Sequence, residues 1–254
     1  MNKQISSKDN RIFKECQKLA QKKYRDQEGK YLIEGPNLIS EALEHQGDIL
    51  YVILREGTSM VATALETYVM SQGLFDKLAQ TETSQGMLGV VKKPETTLED
   101  LAKIDQHHGN YIVMDRLQDP GNIGTIIRTA EGAGYAAVVV VKGTADVYSP
   151  KVIRAAAGSV FRIPIVQVED NRELLQLVTQ MKKRMVVTCL DTDKHYFDED
   201  LTKDIALVIG NEGNGISKEL LECAEIKVKI PMNGKLESLN ASVAAGILMY
   251  EAMR

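Results

Sequence analysis

From residue 111 onward the chain repeats one unit: a short apolar run, a polar or glycine-rich stretch, then a helical pattern. Runs such as Tyr111–Met114, Ala137–Val141 and Ile205–Ile209 place large or β-branched apolar side chains at consecutive positions. Successive side chains of a strand point to opposite faces, so such runs must be covered on both sides. This argues against an antiparallel sheet with one wet face and for an α/β fold with a mostly parallel sheet between helices. Strands are expected at Tyr111–Met114, Ala137–Val141, Ile163–Val168, Met185–Thr188, Ile205–Ile209 and Ile226–Ile230. Helices are expected at Gly124–Ala133, Pro150–Gly158, Asn171–Lys183, Ser217–Ala224 and Leu239–Met253.

The first 91 residues read as a smaller α/β unit. Helices are expected over residues 7–23, from Pro36 to about Leu43, over Thr58–Val69 and near Phe75–Ala79, with strands at Tyr31–Ile33, Leu50–Leu54 and Gly89–Val91. Residues 92–106, with Pro94 and mixed charges, read as a linker to a second domain at 107–254.

Composition narrows the function classes. At 254 residues, 44% hydrophobic and 26% charged, the chain is in the range of ordinary globular proteins. No apolar stretch approaches the roughly 18 residues of a membrane span, and the polar N-terminus is unlike a signal peptide. Cys16, Cys189 and Cys223 are scattered and odd in number, as expected of free thiols in a reducing cytoplasm. They and the four histidines lack metal-ligand spacing, so no metal is expected. The net charge of −4 argues against a uniformly basic nucleic-acid binder. Residues 1–30 nonetheless carry nine Lys or Arg against four acids, which suits a local phosphate contact as well as a solvated helix face.

Three polar stretches follow expected strands, where open α/β sheets place their chemistry. In the first, Asp119-Pro120-Gly121-Asn122 feeds a helix, with Asn122 placed to cap it and Arg128 about one turn from its start. A helix N-terminus with a nearby guanidinium can hold a phosphate, although Arg128 could equally pair with a surface acid. The second, Gly210-Asn211-Glu212-Gly213-Asn214-Gly215, has glycines for sharp turns but is neither a P-loop nor a dinucleotide fingerprint. The third runs from Ile230-Pro231-Met232 to Glu237-Ser238-Leu239-Asn240. Ser238 and Asn240 are natural caps, and the small residues Ala241, Ser242, Ala244, Ala245 and Gly246 allow close packing against a neighbouring loop or a partner subunit.

In order and in preceding strand type, these stretches resemble the three signature motifs of the SpoU/TrmH family of RNA ribose 2′-O-methyltransferases, in the SPOUT superfamily. The likeness covers about residues 110–254. Tyr31-Leu32-Ile33-Glu34-Gly35-Pro36 and Ser84-Gln85-Gly86-Met87-Leu88-Gly89-Val90 also resemble the start and end of that family's substrate-binding domain, a ribosomal-protein-like fold.

The resemblance implies S-adenosylmethionine bound in a deep trefoil knot, with contacts at Thr188, Gly210, Ile230, Met232 and Leu239. It implies Arg128 as the catalytic arginine, with Asn122, Glu212, Ser238 and Asn240 around it. Arg128 is either the base or a phosphate anchor that stabilises a developing alkoxide, and Glu212 either the base or a group that orients Arg128. Lys22, Lys23, Arg25 and Lys30, with Lys151 and Arg154, are expected to grip RNA phosphates. A cytoplasmic homodimer acting on 23S rRNA, or on a ribosomal precursor particle, is the expected enzyme. A tRNA 2′-O-methyltransferase and a non-catalytic RNA-binding protein on the same fold are the alternatives, and a nucleotide-dependent oxidoreductase is a more distant rival.

Overall fold

The computed structural model describes residues 3–45, 47–59, 64–97, 100–101, 103, 109–236 and 238–254. The chain divides into two units, residues 1–94 with 148–154, and residues 95–147 with 155–254. Part of the expected linker, residues 60–63 of the expected Thr58–Val69 helix, and Glu237 lie outside the described residues.

The first unit is built on a five-stranded sheet in the order β1 (Lys3–Ile5), β4 (Thr67–Met70), β3 (Ile49–Arg55), β5 (Met87–Lys92) and β2 (Lys30–Glu34). β4 runs parallel to β1 and β3, whereas β5 is antiparallel to β3 and β2. β4 corrects the expectation of a helix reaching Val69. Thr67 and Val69 are β-branched, and pairing with β1 and β3 satisfies both edges of the segment.

The single helix expected over residues 7–23 is two helices, Arg11–Leu19 and Lys22–Glu28. Asn10 caps the first, its side chain accepting from Ile12 N at 2.8 Å. Gly29, at φ +61°, ends the second in the left-handed conformation that glycine adopts without strain. Ile12, Phe13, Cys16 and Leu19 form the inner face of the first helix and pack into a core with Ile53, Phe75, Leu88 and Val90.

The second unit holds a six-stranded, wholly parallel sheet in the order β11 (Ile226–Val228), β9 (Arg184–Thr188), β10 (Ile205–Gly210), β6 (Tyr111–Asp115), β7 (Ala137–Val141) and β8 (Ile165–Val168). Every residue of β6 and β7 is buried, as their unbroken apolar runs require. From β6 the chain builds outward through β7 and β8, then crosses to build β9, β10 and β11 on the other side. The strand order therefore reverses between β6 and β10, a topological switch point, and ligands of open α/β sheets bind beyond the strand ends there. Gly210 pairs in register with Asp115, so the loops leaving these two strands start side by side.

The helix after β6 spans Pro120–Gly132, four residues earlier than the expected start. Its N-cap is Asp119, whose side chain accepts from Asn122 N, and Pro120 stands at the first helical position. Asn122 therefore lies inside the first turn and is not the cap. Arg128 is correspondingly about two turns into the helix, not one.

Candidate active site

The loop after β10 closes on itself. Asn211 N donates to Gly215 O at 3.0 Å, and Gly215 N returns a bond to Asn211 O at 2.8 Å. The Asn211 side-chain oxygen accepts from the N–H of Gly213 and Asn214, while its amide donates to Arg116 O at 2.8 Å. This fold-back presses the loop onto Gly210. A Cβ there would lie 2.3 Å from Ile216 N and 2.4 Å from Gly215 C, so only glycine fits.

Glu212 ties this loop to the one after β6. Its carboxylate accepts from Gln118 N and Asp119 N, each at 3.0 Å, and from Asn122 Nδ2 at 3.1 Å. Partial burial opposes its ionisation, but the N–H groups of Gln118, Asp119 and Glu212 itself, with the Asn122 amide, outweigh burial and hold the carboxyl below its usual range. Such a carboxylate is a weak proton acceptor.

One strand further in, Asp115 is fully buried, and its carboxylate takes Ser217 N at 2.8 Å and Arg116 Nε at 2.8 Å. Arg116 has φ +59°, a strained conformation for a side-chain-bearing residue, and the Thr144 hydroxyl accepts from its N–H at 3.0 Å.

Beyond the ends of β9, β10 and β11 is a cavity of about 500 Å³. Ile209, Ile216, Ile230, Leu239 and Ala244 give it apolar walls, and Thr188, Asn211, Glu212, Lys229, Ser238 and Asn240 give it polar groups. Its size and mixed lining fall within the range of small-molecule and cofactor sites, roughly 300–1,000 Å³. Asn240 caps the C-terminal helix Ala241–Glu251, its side chain accepting from Ser242 N at 2.9 Å. Ser238 precedes that cap and lines the cavity.

The structure thus gathers Thr188, Gly210, Ile230, Met232 and Leu239 around one cavity, together with Glu212, Ser238 and Asn240. Asn122 is buried one hydrogen bond behind Glu212. Arg128 is exposed and is not among the residues lining the cavity.

Among the residues expected to grip RNA, Lys22, Lys23, Lys151 and Arg154 are exposed. Arg25 is buried, its NH1 donating to Leu19 O at 2.7 Å, and Lys30 is held by Glu15 at 2.6 Å. Arg25 therefore serves packing within its unit, whereas Lys30 is half-buried in its ion pair. The parts that sequence reasoning missed are the Gln118 and Asp119 donors, because backbone groups leave no residue-type signal. The Asp119-Pro120 pair was a readable helix start.

Comparison with known proteins fits this geometry. The model of the SpoU rRNA Methylase family matches residues 109–250, and that of the MRM3-like substrate binding domain matches residues 10–89. The chain is 37% identical to the Bacillus subtilis 23S rRNA (guanosine(2553)-2′-O)-methyltransferase, over 98% of both proteins. It is 32% identical to the 23S rRNA (uridine(2479)-2′-O)-methyltransferase of Streptomyces viridochromogenes, over 99% of this chain and 92% of that one. The AdoMet-bound rRNA methyltransferase of Sinorhizobium meliloti superposes with a TM-score of 0.88 at 29% identity, covering 98% of this chain and 97% of that one. With its methylase region, substrate-binding region and strand-end cavity all present, this chain belongs to the SpoU rRNA methylase family.

Proposed function

We propose that this protein is an S-adenosylmethionine-dependent methyltransferase that modifies a ribose 2′-hydroxyl of 23S rRNA, either free or within a ribosomal precursor particle. The observation that carries this reading is the cavity beyond the ends of β9, β10 and β11, which the segment leading into the C-terminal helix also lines. Its residues fit that cofactor. Ile209, Ile230 and Leu239 offer an apolar slot for a flat base, Gly210 brings bare backbone close, and the polar groups suit a ribose and an amino-acid tail.

The bound cofactor supplies an electrophilic methyl group on a sulfonium. The protein's part is to exclude water, orient the donor and hold the sugar hydroxyl in line with it. Asn240 and the Asn211 turn fix the cavity walls, while Glu212 and Asn122 lock the two strand-end loops together. Glu212 is assigned this structural task and not proton removal, since its donors stabilise the ionised form.

Arg128 is assigned to the substrate. It is exposed and does not line its own chain's cavity, which supports its serving the cavity of a second copy, where it would hold RNA phosphate and stabilise the developing alkoxide. A homodimer is part of this proposal, and the exposed Val243, Tyr250 and Met253 of the C-terminal segment support it. So is the trefoil knot, in which the chain after β11 threads the preceding loops. Supporting the knot, the C-terminal helix packs against Pro120–Gly132 and β10, and its approach lines the cavity. The two-domain division at 1–91 and 107–254, the Lys151 and Arg154 phosphate contacts, and a cytoplasmic location complete the reading. Among the described residues, no helix is long and apolar enough to cross a membrane.

The test is incubation of the full chain with radiolabelled S-adenosylmethionine and 23S rRNA, free and in precursor particles, followed by mapping of ribose methylation. Incorporation at one 2′-oxygen is expected. No incorporation into either substrate would overturn the assignment.

A further inference from the structure

Within the first unit, the helix Arg11–Leu19 turns Ile12, Phe13, Cys16 and Leu19 into the core. At 3.6 residues per turn, Arg11, Lys14 and Lys18 then share the stripe facing directly away from that core. Lys14 pairs only at the surface, with Asp9 at 2.8 Å, a contact worth little. Among the described residues, Lys18, Lys22 and Lys23 form no ion pair with an acid, while the Arg11 charge reaches Glu66, whose carboxyl Lys3 and Tyr68 chiefly hold below its usual range. Lys18 and Lys23 lie over the ring of Tyr24 at 5.5 and 5.8 Å, so an aromatic side chain is set among the cations. At the N-terminal end of the helix, Lys8 lies beside Lys77, and a side-chain hydrogen bond with Lys8, then desolvation, then the like charge hold the Lys77 ammonium below the usual lysine range. Like charges placed together gain most when an anion binds between them.

We infer that the outer face of the Arg11–Leu19 helix, extended by Lys22, Lys23 and Tyr24, is the surface on which the first unit holds the RNA backbone. This inference rests on the proposed function and specifies where the substrate is gripped. The stripe from Arg11 to Lys18 spans about 10 Å of helix. That length lets three cations reach roughly two or three successive phosphates of one strand. Tyr24 suits an unpaired base, which stacks on an aromatic face beside cations. A lipid surface would call for large apolar residues beside the cations, and the positions of this stripe are charged or polar.

The experiment measures binding of the full chain to 23S rRNA across a salt series, for wild type and for the triple variant Arg11→Gln, Lys14→Gln, Lys18→Gln. Loss of three phosphate contacts should lower affinity at least about tenfold and reduce the salt-dependence slope by about two to three. S-adenosylhomocysteine affinity and the melting temperature should not move. Tyr24→Leu should weaken binding several-fold with an unchanged slope. A triple variant that binds RNA with the wild-type slope would overturn the inference, and so would one that keeps RNA binding but loses wild-type attachment to anionic phosphatidylserine vesicles. Failure of the wild type itself to bind and methylate the RNA would instead overturn the underlying function.

Discussion

The Asn122 side-chain amide donates to the Glu212 carboxylate at 3.1 Å, across 90 positions of sequence. This bond, with the Gln118 and Asp119 N–H groups on the same carboxylate, makes the loops after β6 and β10 one body at the edge of the cavity.

Glu212 should therefore behave as a structural carboxylate. Its folded pKa is depressed, so its contribution to stability is fully present above its unfolded value near 4.5 and is lost as pH falls through the lower folded value. Cofactor affinity should be flat with respect to Glu212 from pH 6 to 9 by titration calorimetry. Glu212→Gln should weaken cofactor binding while leaving the shape of the pH–rate profile intact. A rate limb near neutral pH that disappears in this variant would make Glu212 the base after all.

Gly210→Ala tests the close approach beneath the loop. The added methyl meets the backbone at Ile216 N and Gly215 C, which cannot swing aside like a side chain. The loop must lift, at a cost of about 1–3 kcal/mol, lowering the melting temperature by roughly 2–10 °C for a chain of this size. S-adenosylhomocysteine binding should fall at least tenfold. A variant with wild-type affinity would show that the Asn211–Gly215 turn does not shape the cofactor site.

Arg128→Ala should abolish methyl transfer and change cofactor affinity less than twofold, because Arg128 does not line its own chain's cavity. If it serves a second copy, mixing the inactive Arg128→Ala protein with Gly210→Ala, at a cofactor concentration too low for Gly210→Ala alone to turn over, should restore activity. With random pairing in a two-fold dimer, about a quarter of wild-type sites would be complete. A mixture as inactive as its components would place Arg128 outside a shared site.

Arg25→Met should lower stability by about 1–3 kcal/mol, since it leaves the Leu19 carbonyl without this donor in a buried place. Chemical denaturation would read the loss. RNA binding by the folded fraction should keep its salt slope, in contrast to changes at Arg11, Lys14 and Lys18.

The apolar runs at 111–114, 137–141 and 205–209 determined a parallel sheet covered on both faces, because strand geometry allows no other burial of consecutive apolar side chains. The glycine-rich turn after Gly210 and the cap at Asn240 were likewise legible, because turn and cap chemistry is local, although the cap expected at Asn122 is Asp119. Local rules failed where a distant partner decided the outcome. Thr67–Met70 became a strand because β1 and β3 lie on either side of it. The first helix ends where it does with Leu19 O held by Arg25, a residue that reads as a surface cation until its burial is known. Glu212 could be read from sequence as a base, and only the fold placed three donors on it. A carboxylate's chemistry is set by what surrounds it in space, and those neighbours come from a loop some ninety residues earlier.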